Sequence, residues 1–402
     1  MSDPMKVRVD GPLAEFVPVF RERLRAAGYR RDSVADQVRL VADLSRWLTS
    51  EGVPIGKLGP AERAAFIAWR QSSGRRCLRS VKALVPFLEH LRAVGAVGPD
   101  RVQPPAADER LLEEFASFLR DERALTAGTA AGYVHCVRRF VIGMGVDGDI
   151  DFGGVDAAAV VGFVTTACPG RSKGSAKLIV SSLRALLRWL FLTGRVNTDL
   201  SSAVPSVAGW RLAGVPRALE PDEVARLLAV FDRSTAAGRR DAAMTLLMVR
   251  VGLRAGEVAR LGLSDIDWRA GELTVRGKGS RLERMPIPVD VGEAIVAYLQ
   301  RGRPPTADGR TVFVRVHAPH GGLSTGAVTD TVCRAARRAG LGLVHAHVLR
   351  HTAATGMVRA GASLPEVGQV LRHRLLLTTS IYAKVDVEGL RTLARSWPGS
   401  LT

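Results

Sequence analysis

The chain has 402 residues, which suggests two or three domains, and its 47% of hydrophobic and 24% of charged residues are ordinary for a soluble globular protein. Its 57 Lys and Arg residues against 39 Asp and Glu residues give a formal net charge of +18, which favours a polyanionic partner, above all nucleic acid. A preference for Arg on solvated helix faces is the alternative explanation of this charge. No apolar run approaches the length of a membrane span or a signal-peptide core, so the sequence predicts a cytoplasmic protein.

The first half of the chain contains two similar helical patterns. Residues 81–91 and 180–190 both carry apolar residues at i, i+3, i+6, i+7 and i+10, and each run is followed by a glycine, Gly95 or Gly194. This period is that of an amphipathic helix with a C-terminal stop. We therefore predict two small helical modules of the same design, although amphipathic helices in any bundle can produce such a likeness by chance.

Clustered basic residues precede the last helix of each module. They are Arg75, Arg76 and Arg79 in the first module and Arg171, Lys173 and Lys177 in the second. Cations beside glycines at a helix N-terminus suit contact with phosphate, so these six residues are the predicted DNA contacts. A solvated helix start is the alternative for any one of them.

Two stretches rich in Pro, Gly, Ala and Ser, residues 98–107 and 201–216, have the composition of linkers. They predict three domains: an N-terminal helical DNA-binding or assembly module at 1–105, a second helical module at 106–205 and a last domain at 206–402. In the last domain, β-forming residues at 272–276 and 283–288 flank a glycine-rich centre, which predicts an antiparallel hairpin among helices. The predicted fold is mainly α, with one small antiparallel β-sheet in the last domain.

The last domain also carries candidate groups for phosphoryl transfer. A protein nucleophile that cuts a phosphodiester needs an attacking group, cations that stabilise the added charge and a proton donor for the leaving oxygen. Tyr382 follows two histidines and an arginine in a short region, whereas the other tyrosines are Tyr29, Tyr133 and Tyr298. Taken without its neighbours, Tyr382 is more simply a packing residue.

The candidate cations are spread along this domain. Arg254, in Gly-Leu-Arg-Ala-Gly-Glu, offers a guanidinium fork that Glu257 can orient, or else it is a surface arginine at a turn. Lys278 lies between two glycines at the predicted hairpin tip, where a solvated turn lysine is the alternative. His347 and Arg350 are three residues apart and share one helix face, and His373 follows in Leu-Arg-His.

No metal-ligand pattern or cofactor motif is evident, and the four cysteines are scattered. These cysteines are Cys77, Cys136, Cys168 and Cys333. The sequence therefore predicts reduced thiols, no disulfide framework, and a reaction that uses neither metal nor cofactor.

The order of these motifs resembles the tyrosine recombinase (phage integrase) family over roughly residues 110–385. Gly-Leu-Arg254-Ala-Gly-Glu is similar to the first-arginine motif of the family, and Lys278 to its hairpin lysine. His347-Val-Leu-Arg350 and Leu-Arg-His373 are similar to its next two motifs, and Tyr382 stands at the spacing of its nucleophile.

The resemblance implies a site-specific DNA recombinase of the integrase or transposon type. Tyr382 would form a 3′-phosphotyrosyl bond, Arg254, Arg350 and His373 would stabilise the transition state, Lys278 would protonate the leaving oxygen, and His347 would act as base or as a donor to the phosphate. Residues 106–205 would be a four-helix core-binding domain. Four protomers would exchange the strands of two double-stranded DNA sites through a Holliday junction, with accessory recombinases or DNA-bending proteins as further partners.

The chain departs from the family at one catalytic motif, because Arg372 stands where a glycine is usual before the second histidine. This arginine adds a cation close to the site. Two alternatives stay open: a type IB topoisomerase with the same chemistry, and a non-catalytic DNA-binding or architectural protein of the same fold.

Overall fold

The computed structural model describes residues 7–75, 77–100, 106–146, 149–208, 216–277, 282–307, 309–372 and 376–385. The fold is mainly helical with a small antiparallel sheet in the last domain, which confirms the predicted fold class. The chain divides into two units, one made of Met1–Pro99 with Gly214–Thr402 and one of Asp100–Ala213. The division into three domains stays a prediction.

The N-terminal module is a bundle of four helices. They are α1 (Val17–Ala26), α2 (Arg31–Ser50), α3 (Pro60–Ser72) and α4 (Val85–Ala93). Its core is built on the fully buried rings of Phe20, Phe66 and Phe87. The helix predicted over 81–91 begins as a short 3-10 turn at Val81–Leu84, because Pro86 in the first turn of α4 has no N–H to continue an earlier α-helix.

A buried carboxylate connects the helices of this module. The side chain of Asp43 on α2 is 4% exposed and accepts hydrogen bonds from Arg46, Arg70 and Arg75. The Arg70 side chain, on α3, is 6% exposed and also donates 2.9 Å to the carbonyl oxygen of Leu78. Asp43 therefore fixes the loop after α3 through a charge that has little access to water.

The second unit is also a four-helix bundle, with a two-stranded ribbon between its second and third helices. Its elements are α5 (Ala107–Asp121), α6 (Ala127–Ile142), β1 (Gly145–Val146), β2 (Asp149–Ile150), α7 (Ala157–Ala167) and α8 (Lys173–Leu192). The helix starts are set by side chains, since Thr126, Asp156 and Ser172 each accept a hydrogen bond from the backbone N–H three residues on.

The last domain is built around a helix whose middle is buried. Its helices are α9 (Pro221–Ala229), α10 (Ala236–Arg250), α11 (Ala255–Arg260), α12 (Val289–Arg301), α13 (Thr325–Arg338), α14 (Ala346–Arg359), α15 (Leu364–Val370) and α16 (Leu376–Thr379). Residues 242–249 of α10 are all buried, and the helix packs against α12 and α14. Gly252 ends this segment with φ +71°, and a Cβ there would lie 2.7 Å from the Leu371 side chain.

Three short strands form the sheet of this domain. They are β3 (Ile266–Asp267), β4 (Glu272–Arg276) and β5 (Leu282–Pro286), antiparallel in the order β3-β4-β5. Leu273 pairs with Met285, and both face the core, which confirms the predicted hairpin. Within the described ranges, no helix is both long and apolar enough to cross a membrane.

We predict that Asp43→Asn lowers the free energy of unfolding by about 3 kcal/mol, because it leaves the buried guanidinium of Arg70 without its counter-charge. The matched control is Asp36→Asn, which removes a carboxylate that is 44% exposed and paired with Arg39, and it changes stability by about 0.5 kcal/mol. Urea unfolding of both variants, followed by tryptophan fluorescence, measures the difference. Equal losses in the two variants would contradict the role given to Asp43.

Candidate active site

Arg254 is the N-cap residue directly before helix α11 and follows the turn that ends α10. The Glu257 carboxylate accepts the backbone N–H of Arg254 at 2.8 Å and its Nη1 at 2.7 Å. The Glu257 side chain is 5% exposed, whereas that of Arg254 is 41% exposed. The buried carboxylate of Glu257 therefore holds the backbone N–H and one guanidinium nitrogen of Arg254, and the exposed part of the guanidinium can bind an anion.

Arg350 is fully buried on helix α14, with 1% of its surface exposed. Its Nη1 donates 2.6 Å to the carbonyl oxygen of Gly252, and its Nη2 donates to that of Leu371. One guanidinium thus joins the ends of α10 and α15. Burial, with the charges of Arg254 and Arg372 nearby, lowers the pKa of Arg350 to about 10, so it keeps its charge at neutral pH.

Tyr382 lies against His351 of α14, and His351 in turn contacts His347. The Tyr382 side chain is 1% exposed in a small apolar cluster that includes Val358 and Leu371. Its hydroxyl lies 2.8 Å from Nδ1 of His351, whose ring lies 4.4 Å from that of His347, centroid to centroid. These contacts link the phenol, through His351, to a second imidazole, and both histidines lie on the helix that carries Arg350.

Burial favours the neutral forms of the phenol and the two imidazoles in this cluster. Burial raises the pKa of Tyr382, and the opposing effects of Arg350 and Arg254 are smaller. Burial also lowers the pKa of His351 to about 4, helped by His347 and Arg350. The pKa of His347 is lowered for the same reason, with Arg350 and Arg254 contributing. At neutral pH His351 is therefore neutral and its Nδ1 can accept the phenol proton.

Two residues in contact with the site were not among the predicted catalytic residues. His351 follows His347 at i+4 on one helix face, a spacing that could have pointed to it. Arg372, noted in the sequence as an added cation, donates from Nη2 to Glu257 at 2.7 Å. That pairing joins residues 115 positions apart and has no signal in the local sequence.

Among the predicted catalytic residues, the structure brings Arg254, His347, Arg350 and Tyr382 together. Lys278 and His373 lie outside the described residues, as does Arg76. The part of the chain that the structure describes contains no group of three His, Cys, Asp or Glu residues that could hold a metal ion.

The predicted DNA contacts fall in different settings. Arg171 and Lys173 flank the start of α8 and Lys177 follows one turn on, and all three are exposed. In the N-terminal module Arg79 is exposed, whereas Arg75 is half-exposed and paired with Asp43 at 3.2 Å. A phosphate that binds Arg75 must therefore compete with a carboxylate.

The sequence profile described as the phage integrase family matches residues 217–388. A putative integrase/recombinase of Sinorhizobium fredii, y4rA, is 40% identical over 395 residues, which are 97% of this chain and 96% of that protein. The tyrosine recombinase XerD of Listeria monocytogenes is 31% identical over 284 residues, 68% of this chain and 94% of its own length.

Solved structures share the fold at lower identity. XerH recombinase bound to its difH substrate matches with a TM-score of 0.52 and 19% identity, covering 86% of this chain and 99% of that one. A lambda integrase tetramer bound to a Holliday junction matches with a TM-score of 0.54 and 18% identity, covering 80% and 90%. With one relative 40% identical along nearly its full length and another 31% identical over two thirds of it, the chain belongs to the tyrosine recombinase (phage integrase) family, whose members cut and rejoin DNA.

Proposed function

We propose that this site-specific recombinase cuts DNA by attack of the Tyr382 hydroxyl oxygen on a phosphodiester held by Arg254 and Arg350. The observation that carries this proposal is the meeting of a buried, hydrogen-bonded phenol with two guanidiniums from separate elements. A phosphodiester carries one negative charge and gains a second as the oxygen attacks. Two arginines that the fold holds in place stabilise that added charge.

The proposed step balances with groups of this chain. The bond from the Tyr382 oxygen to phosphorus forms as the bond from phosphorus to the 5′ oxygen breaks, which leaves a 3′-phosphotyrosyl link and a free 5′-hydroxyl. The phenol proton passes to Nδ1 of His351, which lies at 2.8 Å and whose charged form the negative charge of the bound phosphate favours. Lys278 supplies the proton of the leaving oxygen, and His347 and His373 donate to the phosphate. Because the link conserves the bond energy, rejoining needs no ATP.

We place the DNA against the basic residues of both N-terminal modules. The exposed group at the start of α8, Arg171, Lys173 and Lys177, supports a phosphate contact by the second unit. Arg75, Arg76 and Arg79 extend the footprint. Residues 106–205 act as the core-binding domain and 206–402 as the catalytic domain.

The assembly proposed here is a homotetramer on two duplex sites. The likeness in fold to a lambda integrase tetramer on a Holliday junction supports it. Integration or transposition of a mobile element is the proposed role, and accessory recombinases or DNA-bending proteins remain a prediction from the resemblance.

We expect wild type, incubated with fragments of the DNA that flanks its gene and then denatured, to remain covalently linked to one inverted-repeat sequence. Tyr382→Phe removes the attacking oxygen and yields no linked DNA, while its affinity for the same fragment stays within about threefold of wild type. Sequencing of the protein-linked DNA, with gel-shift titration of both proteins, measures these outcomes. Binding without adducts from either protein would favour a non-catalytic DNA-binding role.

The two arginines should separate catalysis from stability. Arg254→Ala lowers the single-turnover cleavage rate about 100-fold or more and leaves stability within about 1 kcal/mol, because its side chain is 41% exposed and Glu257 keeps Arg372 as a partner. Arg350→Ala destabilises the fold by about 3 kcal/mol as well, since it leaves the Gly252 and Leu371 carbonyls unpaired. Thermal unfolding of the two variants tests the contrast, which fails if Arg254→Ala proves the less stable.

His351 makes stability depend on pH. His351 has a pKa of about 4 in the folded chain and about 6.5 in the unfolded chain, so between these pH values the unfolded chain binds one more proton. The free energy of unfolding therefore rises with pH in this range. His351→Gln keeps a hydrogen-bond acceptor for Tyr382 but cannot titrate. It therefore lowers the slope of the free energy of unfolding against pH by up to the contribution of one bound proton. Urea titrations of wild type and His351→Gln from pH 4.5 to 7 measure the difference. An unchanged slope in His351→Gln would refute the burial effect.

A further inference from the structure

Arg372 combines a strained backbone with a buried charge. Its φ is +56°, and the other described residues besides glycine that share this left-handed region are Leu78 and Ala124. A side chain is strained in this region, which is why glycine is preferred there. The side chain is also 2% exposed, so its charge has lost most of its water. Such a combination persists only where surrounding contacts compensate for it, and it marks functional sites more often than surfaces.

The contacts of Arg372 lead into the active site. Its Nη2 donates 2.7 Å to Oε2 of Glu257, the oxygen that also accepts the backbone N–H of Arg254. Its Nη1 donates 3.2 Å to the carbonyl oxygen of Val370 and contacts the sulfur of Met285 on β5. Its Nε has no hydrogen-bond partner among the described residues. Arg372 is thus placed for Glu257 rather than for full satisfaction of its own donors.

One carboxylate is therefore shared by two arginines. Oε1 of Glu257 binds Nη1 of Arg254, and Oε2 binds Arg372. If Arg372 were absent, the whole charge of Glu257 would face Arg254 and largely neutralise it. With Arg372 present, three guanidiniums, including that of Arg350, stand against Glu257 and the smaller effect of Glu283, which leaves net positive charge for a phosphate that gains its second negative charge during attack.

Arg372 directly follows Leu371, whose carbonyl oxygen accepts a hydrogen bond from Arg350. The side chain of Arg372 itself pairs with Glu257. Two consecutive residues thus contact Arg350 and the partner of Arg254, the two arginines of the proposed phosphate site. The contacts of Arg372 are with Glu257, Val370 and Met285, so its charge acts on the phosphate site through Glu257.

We propose that Arg372 is a positioning residue that offsets the charge of Glu257, so that Arg254 presents more of its charge to the scissile phosphate. The proposal rests on the proposed function, cleavage by Tyr382. Its effect appears in the chemical step rather than in DNA binding, because the compensated charge matters most when the second phosphate charge develops.

Arg372→Gly tests this role with little damage to the fold. Glycine adopts φ +56° without steric strain, and Glu257 keeps Arg254 as a partner. The melting temperature therefore stays the same or rises. We expect the single-turnover cleavage rate at saturating enzyme to fall about 10- to 100-fold. The dissociation constant for the uncut site stays within about threefold, and Arg372→Lys retains part of the rate. The substrate is a nicked duplex of the core site that wild type marks in the trapping experiment.

A double-mutant cycle separates action through Glu257 from a general effect of charge. In a Glu257→Gln background there is no carboxylate charge to offset, so adding Arg372→Gly lowers the rate by less than about threefold. Ala124→Gly, which relieves another left-handed residue in the second unit, cleaves at the wild-type rate. Arg226→Gln, which removes an exposed cation paired with Asp222, does so too.

The outcomes distinguish the two proposals. Adducts from wild type with an unchanged rate in Arg372→Gly overturn the role of Arg372 and leave Tyr382 as the nucleophile. A full loss of rate in the Glu257→Gln background, or a loss that follows a fall in melting temperature, overturns it too. If wild type forms no adducts at all, the proposed function falls and the role of Arg372 in cleavage falls with it.

Discussion

The arrangement of the last domain depends on the buried guanidinium of Arg350. Burying an arginine is costly unless its donors are satisfied, and here the acceptors are backbone carbonyls at Gly252 and Leu371, each at the end of a different helix. Those carbonyls keep their places only while α10, α14 and α15 stay packed as they are. Gly252 permits that approach, since a Cβ there would press on the Leu371 side chain. The geometry of the site is therefore a property of the packed domain rather than of mobile loops.

The same constraint gives the site its electrostatic character. Burial favours the uncharged forms of Tyr382, His347 and His351, while the arginines keep their charge and share one acid, Glu257. Such a site holds more positive than negative charge where little water can screen it. In the proposed reaction, a phosphate that enters supplies the missing anion and the electrophile in one group. Substrate binding and attack by the phenol would then depend on the same charge balance.

Local pattern was enough to predict much of this structure, and its limits are physical. The hairpin was predictable because β-formers and a glycine-rich centre act within a few residues, and the helical modules because the apolar period does the same. Both module helices end in the same bond, from Ala96 N–H to Leu91 and from Arg195 N–H to Leu190, after Gly95 or Gly194. The contact of His351 with Tyr382 spans 31 residues and that of Arg372 with Glu257 spans 115, so both depend on tertiary packing. No local period encodes them.

The net charge of +18 also overstates what is available to DNA, because basic residues differ in what they already bind. Arg70 is buried against Asp43, and Arg75 shares that carboxylate. Arg171 and Lys173 stand exposed at the start of α8. A phosphate gains the full counterion-release benefit only from cations that give up no protein carboxylate to bind it. The second unit should therefore carry more of the salt-dependent affinity per basic residue than the N-terminal module, although both contain similar basic clusters in the sequence.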